Sequence, residues 1–275
     1  MVAAALPVEA QQACTTPGSI GVSRTIEIDT KGGPWFGAPH GDPDFLAPGE
    51  VVLTFDDGPS PRSTRHILAA LAAQCTKATF FVVGAMAAAY PDVVREMAAE
   101  GHTIGTHTWS HLNLKRLSQE HAKAQIESAF TAVEKAAGGA IAPFFRYPYL
   151  SDSHAAVAYL QERDIAQFAI DIDSLDWRTR NPQSIIRRVM AGLEHRNRGI
   201  ILLHDIHPST AAAVPELLSL LKAKGFRIVH IQPKTAVQTL AAYQPPAKGT
   251  GRERAIRHLA VRTRLPNTGW SWPTW

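Results

Sequence analysis

The stretch Val51-Val52-Leu53-Thr54-Phe55-Asp56-Asp57-Gly58-Pro59 runs from hydrocarbon into two adjacent carboxylates and then into a turn. Its first five residues are apolar or β-branched and too few for a helix, which predicts a buried strand over Val51–Phe55. Asp56 and Asp57 would repel each other if both were buried, so a burial reading requires a cation beside them. A solvated Asp-Asp-Gly turn explains the tripeptide equally well when it is taken alone.

Outward from this stretch, apolar runs alternate with helical patterns. Further strands are predicted over Ala78–Val83, His102–Thr106, Phe144–Tyr147, Ile165–Ile170, Ile200–Leu203 and Phe226–Val229. Between them, helices are predicted from the Pro61 region to Ala73, and over Pro91–Glu100, Ser118–Ala137, Asp152–Arg163, Asn181–Glu194 and Thr210–Lys224. Pro91 and Gly101 bracket one helix as capping requires, and Ser118 is placed as the N-cap of another. Repeated β-then-α units build a parallel sheet with helices outside it. About seven such units in one domain predict an α/β fold of closed or nearly closed barrel type, with its chemistry at the C-terminal strand ends.

Polar residues recur at those ends. The third strand is followed by His107-Thr108-Trp109-Ser110-His111, the fourth by Arg146-Tyr147-Pro148-Tyr149, and a later one by Asp173-Ser174-Leu175-Asp176-Trp177. The apolar run Ile200-Ile201-Leu202-Leu203 leads into His204-Asp205. His107 and His111, at i and i+4, can share one face of a helical turn and converge on a metal. With one carboxylate they form a two-histidine, one-carboxylate set that leaves positions open for water and substrate. His204 should emerge from the core into the site mouth, Asp176 can orient it, and Arg146 can pair with a carboxylate that must stay ionised. Asp205 is read as structural, in contact behind the site. His102, His195, His207, His230 and His258 lack such a constellation and receive no role.

Composition bounds the reading. The chain has 275 residues, 45% hydrophobic and 19% charged, which excludes a disordered chain. Two cysteines exclude a disulfide scaffold, and the lack of any run of about 18 apolar residues leaves no transmembrane segment. Net charge is +4, yet Lys248, Arg252, Arg254, Arg257, Arg262 and Arg264 against Glu253 place +5 in residues 246–275. Taking that +5 from the +4 total leaves residues 1–245 at −1, so no nucleic-acid partner is expected. The basic, Trp-containing tail, residues 239–275, is expected to be disordered and available to an anionic wall or membrane. Residues 1–50 read as an N-terminal arm. Within it, 1–13 fits a clipped secretory signal remnant and equally an arbitrary start. Cys14 and Cys75 either pair, implying an oxidising compartment, or stay as buried thiols.

The motifs together resemble the polysaccharide deacetylase family, the NodB-homology domain of carbohydrate esterase family four, over residues 51–238. Thr54-Phe55-Asp56-Asp57-Gly58, His107-Thr108-Trp109-Ser110-His111, Arg146-Tyr147-Pro148-Tyr149, Asp173-Ser174-Leu175-Asp176-Trp177 and Leu202-Leu203-His204 match its five motifs in order. The resemblance implies a distorted (β/α)7 barrel with one divalent metal ion, zinc by preference, on Asp57, His107 and His111. It further implies Asp56 as general base held by Arg146, and His204 as general acid backed by Asp176. The Tyr149 backbone N–H would face the oxyanion, and Trp177 and Leu202 would line a pocket for the acetyl methyl. The activity so implied is removal of N-acetyl groups from N-acetylglucosamine units of a glycan (peptidoglycan, chitin oligomer or exopolysaccharide) by a secreted or periplasmic monomer. An O-acetyl xylan esterase and a silent glycan-binding protein are the alternatives. Leu150-Ser151-Asp152 stands where many members have Gly, which touches subsite preference rather than chemistry.

Overall fold

The computed structural model describes residues 16–40 and 45–243. Ten strands, all paired in parallel, form its sheet: β1 (Arg24–Ile28), β2 (Trp35–Phe36), β3 (Glu50–Asp56), β4 (Thr79–Val82), β5 (Thr103–Thr106), β6 (Phe144–Phe145), β7 (Ala166–Phe168), β8 (Ile172–Asp173), β9 (Gly199–His204) and β10 (Arg227–Pro233). Around the sheet lie α1 (Pro61–Ala73), α2 (Gly84–Ala89), α3 (Pro91–Ala99), α4 (Gln119–Ala137), α5 (His154–Glu162), α6 (Pro182–Arg196) and α7 (Pro208–Ala223). The sheet curls into the expected distorted barrel, in the order β8-β9-β3-β4-β5-β6-β7.

Among the described residues the curl does not close by strand pairing. β7 and β8 face a seam, and β2 lies along β7 there with Trp35 opposite Gln167 and Phe36 opposite Phe168. Asp171 bridges this region: its carboxylate accepts the Ala38 N–H at 3.2 Å and the Ile200 N–H at 2.8 Å. The strand predicted over Ile165–Ile170 is the shorter β7, and the unpredicted β8 follows it, because the chain changes neighbours across the seam. At the other flank β1 pairs with β10, so the segment expected as an arm over the barrel supplies two strands of the sheet.

The alternation along β3 explains its burial. Val51, Leu53 and Phe55 pack toward the helices, whereas Val52 joins Phe81, Phe144, Phe168 and Ile200 inside the barrel. All seven β3 residues are buried, as expected of a parallel strand covered on both faces. Period two then puts Thr54 and Asp56 on the inner face with Val52. Asp56 is the register partner of His204 on β9, so two site residues sit level at one rim.

Local signals set the helix ends. Ser118 caps α4 by accepting the His121 N–H at 3.4 Å, and Gly138 ends it at φ 74°. Asn181 caps α6, with Pro182 in the first turn, and Asn197 closes it in the left-handed region. The short α2 escapes sequence reading because Gly-Ala-Met-Ala-Ala-Ala carries no amphipathic period. It exists because Gly84 lets the chain approach Ala129 of α4, where a Cβ would meet backbone at 2.9 Å. Among the described residues no helix is long and apolar enough to cross a membrane. Cys14 and residues 244–275 lie outside the described residues, as therefore do the Cys14–Cys75 pairing and most of the basic tail.

Candidate active site

At the end of β3, Asp56 is buried and accepts a hydrogen bond from Arg146 Nη1 at 2.7 Å. Arg146 follows β6 and is wholly buried. Its guanidinium also donates to Thr54 Oγ1 at 2.7 Å, Ala169 O at 3.1 Å and Phe168 O at 3.3 Å, and lies over the Phe81 ring at 4.2 Å. Four acceptors on three strands and loops leave it one orientation. Burial pushes the Asp56 carboxyl up to about 6, with the Arg146 charge opposing a larger rise. A carboxylate so placed is ionised at neutral pH and still basic enough to take a proton.

Asp57, at φ 77°, turns its carboxylate to two histidines. Its Oδ1 lies 3.5 Å from His107 Nε2 and 3.3 Å from His111 Nε2. His107 Nδ1 is 2.7 Å from the Arg146 carbonyl, which can only accept, so Nδ1 carries the proton and the Nε2 lone pair faces Asp57. Burial drives the His107 ring down to about 3 and keeps it neutral. Asp57 Oδ1 is buried without a hydrogen-bond donor, a costly arrangement that a cation would relieve. The ligand atoms of Asp57, His107 and His111 lie within 4.8 Å of one another. Two neutral imidazoles and one carboxylate on buried backbone fit a divalent ion with further positions open. The convergence is not that of a helical turn: Thr108 (φ 66°) and His111 (φ 55°) are left-handed, and they reverse the chain so that both rings meet the same carboxylate.

Across the cavity, His204 Nδ1 bonds Asp176 Oδ1 at 2.7 Å. Asp176 is buried, and its Oδ2 accepts the His204 N–H and the Thr210 hydroxyl, each at 2.7 Å. Burial alone would lower the His204 ring, but the charge and hydrogen bond of Asp176, aided by Asp57 and Asp56, raise it to about 10. His204 is thus protonated through the neutral range, with Nε2 left to face the cavity. Asp176→Asn removes the charge that holds this proton. The alkaline limb of the kcat/KM profile is expected to move about 1–3 pH units lower. An unmoved limb would show that another group supplies the proton.

Asp56, Asp57, His107, His111, Tyr149, Asp176, Trp177, Leu202 and His204 all line one cavity of 1190 Å³, and Arg146 lies beneath it against Asp56. Tyr149 is left-handed (φ 60°) and exposed, with its ring edge-on to His111 at 4.7 Å. Trp177 stands 43% exposed at the rim. His207, assigned no role from sequence, also lines the cavity, with its ring 5.9 Å from that of His204. Its place at the start of α7, three residues past His204, was the available signal. His102, His195 and His230 do not line the cavity, and His258 lies outside the described residues.

Asp205 is buried behind the site, as its structural reading expected. Its Oδ2 accepts the Thr64 hydroxyl at 2.6 Å, and Thr64 Oγ1 in turn accepts the Ser60 N–H at 2.8 Å. A Cβ on Gly58 would lie 2.0 Å from Asp205 Oδ2, so the turn after Asp57 seats against this carboxyl only because residue 58 is glycine. Gly58→Ala is expected to cost about 1–3 kcal/mol of stability through overpacking. The same change should weaken metal binding by shifting Asp57; thermal denaturation and metal titration measure the two effects.

Comparison with known proteins gives concordant matches. The family model "Polysaccharide deacetylase" matches residues 46–168. The Bacillus subtilis peptidoglycan-N-acetylmuramic acid deacetylase PdaC is 35% identical over 181 residues, 66% of this chain and 38% of PdaC. The chain thus matches well under half of that relative's length. A chitooligosaccharide deacetylase of Bradyrhizobium is 31% identical over 192 residues, covering 65% of this chain and 87% of the relative. Among solved structures, a peptidoglycan deacetylase of Bdellovibrio bacteriovorus superposes with a TM-score of 0.72 at 34% identity, over 80% of this chain and 61% of that one.

Proposed function

Because this chain belongs to the polysaccharide deacetylase family, we propose that it is a metal-dependent hydrolase that removes N-acetyl groups from N-acetylglucosamine units of a glycan. The observation that carries the reading is a buried, Arg146-held carboxylate and a protonated, Asp176-held histidine in one cavity with a metal-capable triad.

Amide hydrolysis needs a nucleophilic water, a base to take its proton, charge stabilisation at the carbonyl oxygen, and an acid for the nitrogen. Asp57, His107 and His111 would hold the ion, zinc by the chemistry of two imidazoles and a carboxylate. When bound, such an ion supplies Lewis-acid polarisation and makes water more acidic. Asp56 takes the proton of the attacking water, and Arg146 keeps that carboxylate aimed and ionised. The backbone N–H of Tyr149 stands to the developing oxyanion as a fixed dipole. His204 gives its Nε2 proton to the departing nitrogen, which cannot leave as an amide anion, and Asp176 carries the compensating charge. Trp177 and Leu202 present apolar surface to the acetyl methyl. No covalent intermediate enters.

Relatives named for peptidoglycan and for chitooligosaccharides support an acetylated glycan substrate and a site of action outside the cytoplasm. The test is acetate release from chitooligosaccharides, peptidoglycan and acetylated xylan, paired with metal analysis. About one divalent ion per chain and acetate from the N-acetylated polymers are expected. Release from acetyl xylan alone would make the enzyme an esterase, and absence of metal and of release together would overturn the catalytic reading.

A further inference from the structure

Two guanidinium groups border the cavity and take no part in the chemistry above. Arg178 and Arg180 line it on the wall that carries Trp177, and both are solvent-exposed. Neither forms a salt bridge among the described residues; Arg178 instead lies over the Trp177 ring at 4.5 Å. The carboxylates of the same cavity are engaged elsewhere. Asp56 meets Arg146, Asp57 faces two histidines, Asp176 holds His204 and Thr210, and Asp173 accepts the Leu175 N–H at 2.8 Å.

The backbone fixes where these cations stand. Asp176–Arg178 is a single 3-10 turn, closed by the Arg178 N–H to Leu175 O at 2.9 Å. Thr179 is extended (φ −140°, ψ 149°) and carries the chain from Arg178 to Arg180 along the cavity that both line. The turn begins at Asp176, the residue that holds His204. Arg180 can therefore lie no more than about 14 Å along the backbone from the residue behind the general acid. That places both cations on the wall of the cavity that holds Asp56 and His204 rather than at a remote surface.

A guanidinium is a planar fork that meets a carboxylate through two parallel hydrogen bonds, whereas a neutral hydroxyl gains far less from it. Stacking on Trp177 restricts Arg178 and lowers the ordering cost of such a contact. We propose that Arg178 and Arg180 are specificity-determining residues that bind a carboxylate carried by the glycan on a sugar next to the one being deacetylated. The assignment rests on the deacetylase reading of this same site.

The metal-loaded enzyme is given three probes of equal length. One is neutral chitotetraose; the second is a peptide-free peptidoglycan tetrasaccharide, whose alternate sugars bear a lactyl carboxylate; the third is the methyl ester of the second. The free acid should exceed its ester in kcat/KM by about tenfold, the yield of two exposed charge contacts together. This preference should shrink at about 0.5 M salt. In the double variant Arg178→Gln, Arg180→Gln the acid-to-ester ratio should fall to about one, with thermal unfolding unaltered. A wild-type ratio near one, a ratio that survives the double substitution, or activity confined to chitotetraose overturns the assignment. Failure of all three probes to release acetate overturns the deacetylase reading instead, so the two failures are told apart.

Discussion

Asp56→Asn is expected to lower kcat for acetate release by about 10²–10⁴-fold while the protein still binds one metal ion per chain. The asparagine keeps the shape of the side chain and an oxygen for Arg146 to donate to, so the buried hydrogen bond at 2.7 Å has a substitute. Asp57, His107 and His111 are untouched, and the ion's site survives. What disappears is a carboxylate able to accept a proton, and no neighbouring group replaces it. Arg146 and the protonated His204 cannot accept one, and His107 has its Nε2 turned to Asp57. Wild-type acetate release from a metal-loaded Asp56→Asn variant would remove Asp56 from the role of base.

Arg146→Ala is expected to cost about 3–5 kcal/mol of stability by chemical denaturation, the penalty for leaving a buried charge without its partner. Asp56 would stay buried without its ion-pair partner, the carbonyls of Phe168 and Ala169 would lose their donor, and Phe81 would lose the group over its ring. The same substitution carries a sign for activity. Arg146 opposes the upward push of burial on Asp56, so its removal raises that carboxyl above about 6 and moves the acid limb of the rate profile to higher pH. Arg146→Lys should not restore the wild type, because an ammonium cannot meet Asp56, Thr54 and two carbonyls from one place. Full stability in Arg146→Ala would mean that the barrel floor repacks without the ion pair.

Much of this was legible in one dimension. The unbroken apolar run Val51–Phe55 announced a buried strand, while the burial of Asp56 on its inner face was decided by the folded sheet. Five polar motifs, each following an apolar run, named the residues that line the cavity. A chain cannot bury so many ionisable groups at matching strand ends unless they meet, since each would be left without a partner. The cap at Ser118 was equally readable, because a capping side chain bonds backbone within its own turn.

Other features depend on neighbours distant in sequence. The path of Arg24–Ile28 and Trp35–Phe36 into the sheet depends on a free edge at β10 and on the seam at β7, neither of which leaves a local trace. Spacing proposed that His107 and His111 share a helical face; two left-handed residues bring them together instead, stabilised by what surrounds them. His207 received no role from sequence, and Arg178 and Arg180 drew no reading, because their meaning lies in which cavity they border.

Sequence was sufficient for the fold class, the alternation of strands and helices and the polar groups that meet at one cavity. Those follow from the periodicity of burial and from residue chemistry, which are local properties of the chain. The protonation of His204, the orphaned oxygen of Asp57, the single orientation of Arg146 and the two arginines on the groove wall came from the folded barrel. Each is set by distance and burial among residues tens of positions apart, and only packing fixes those.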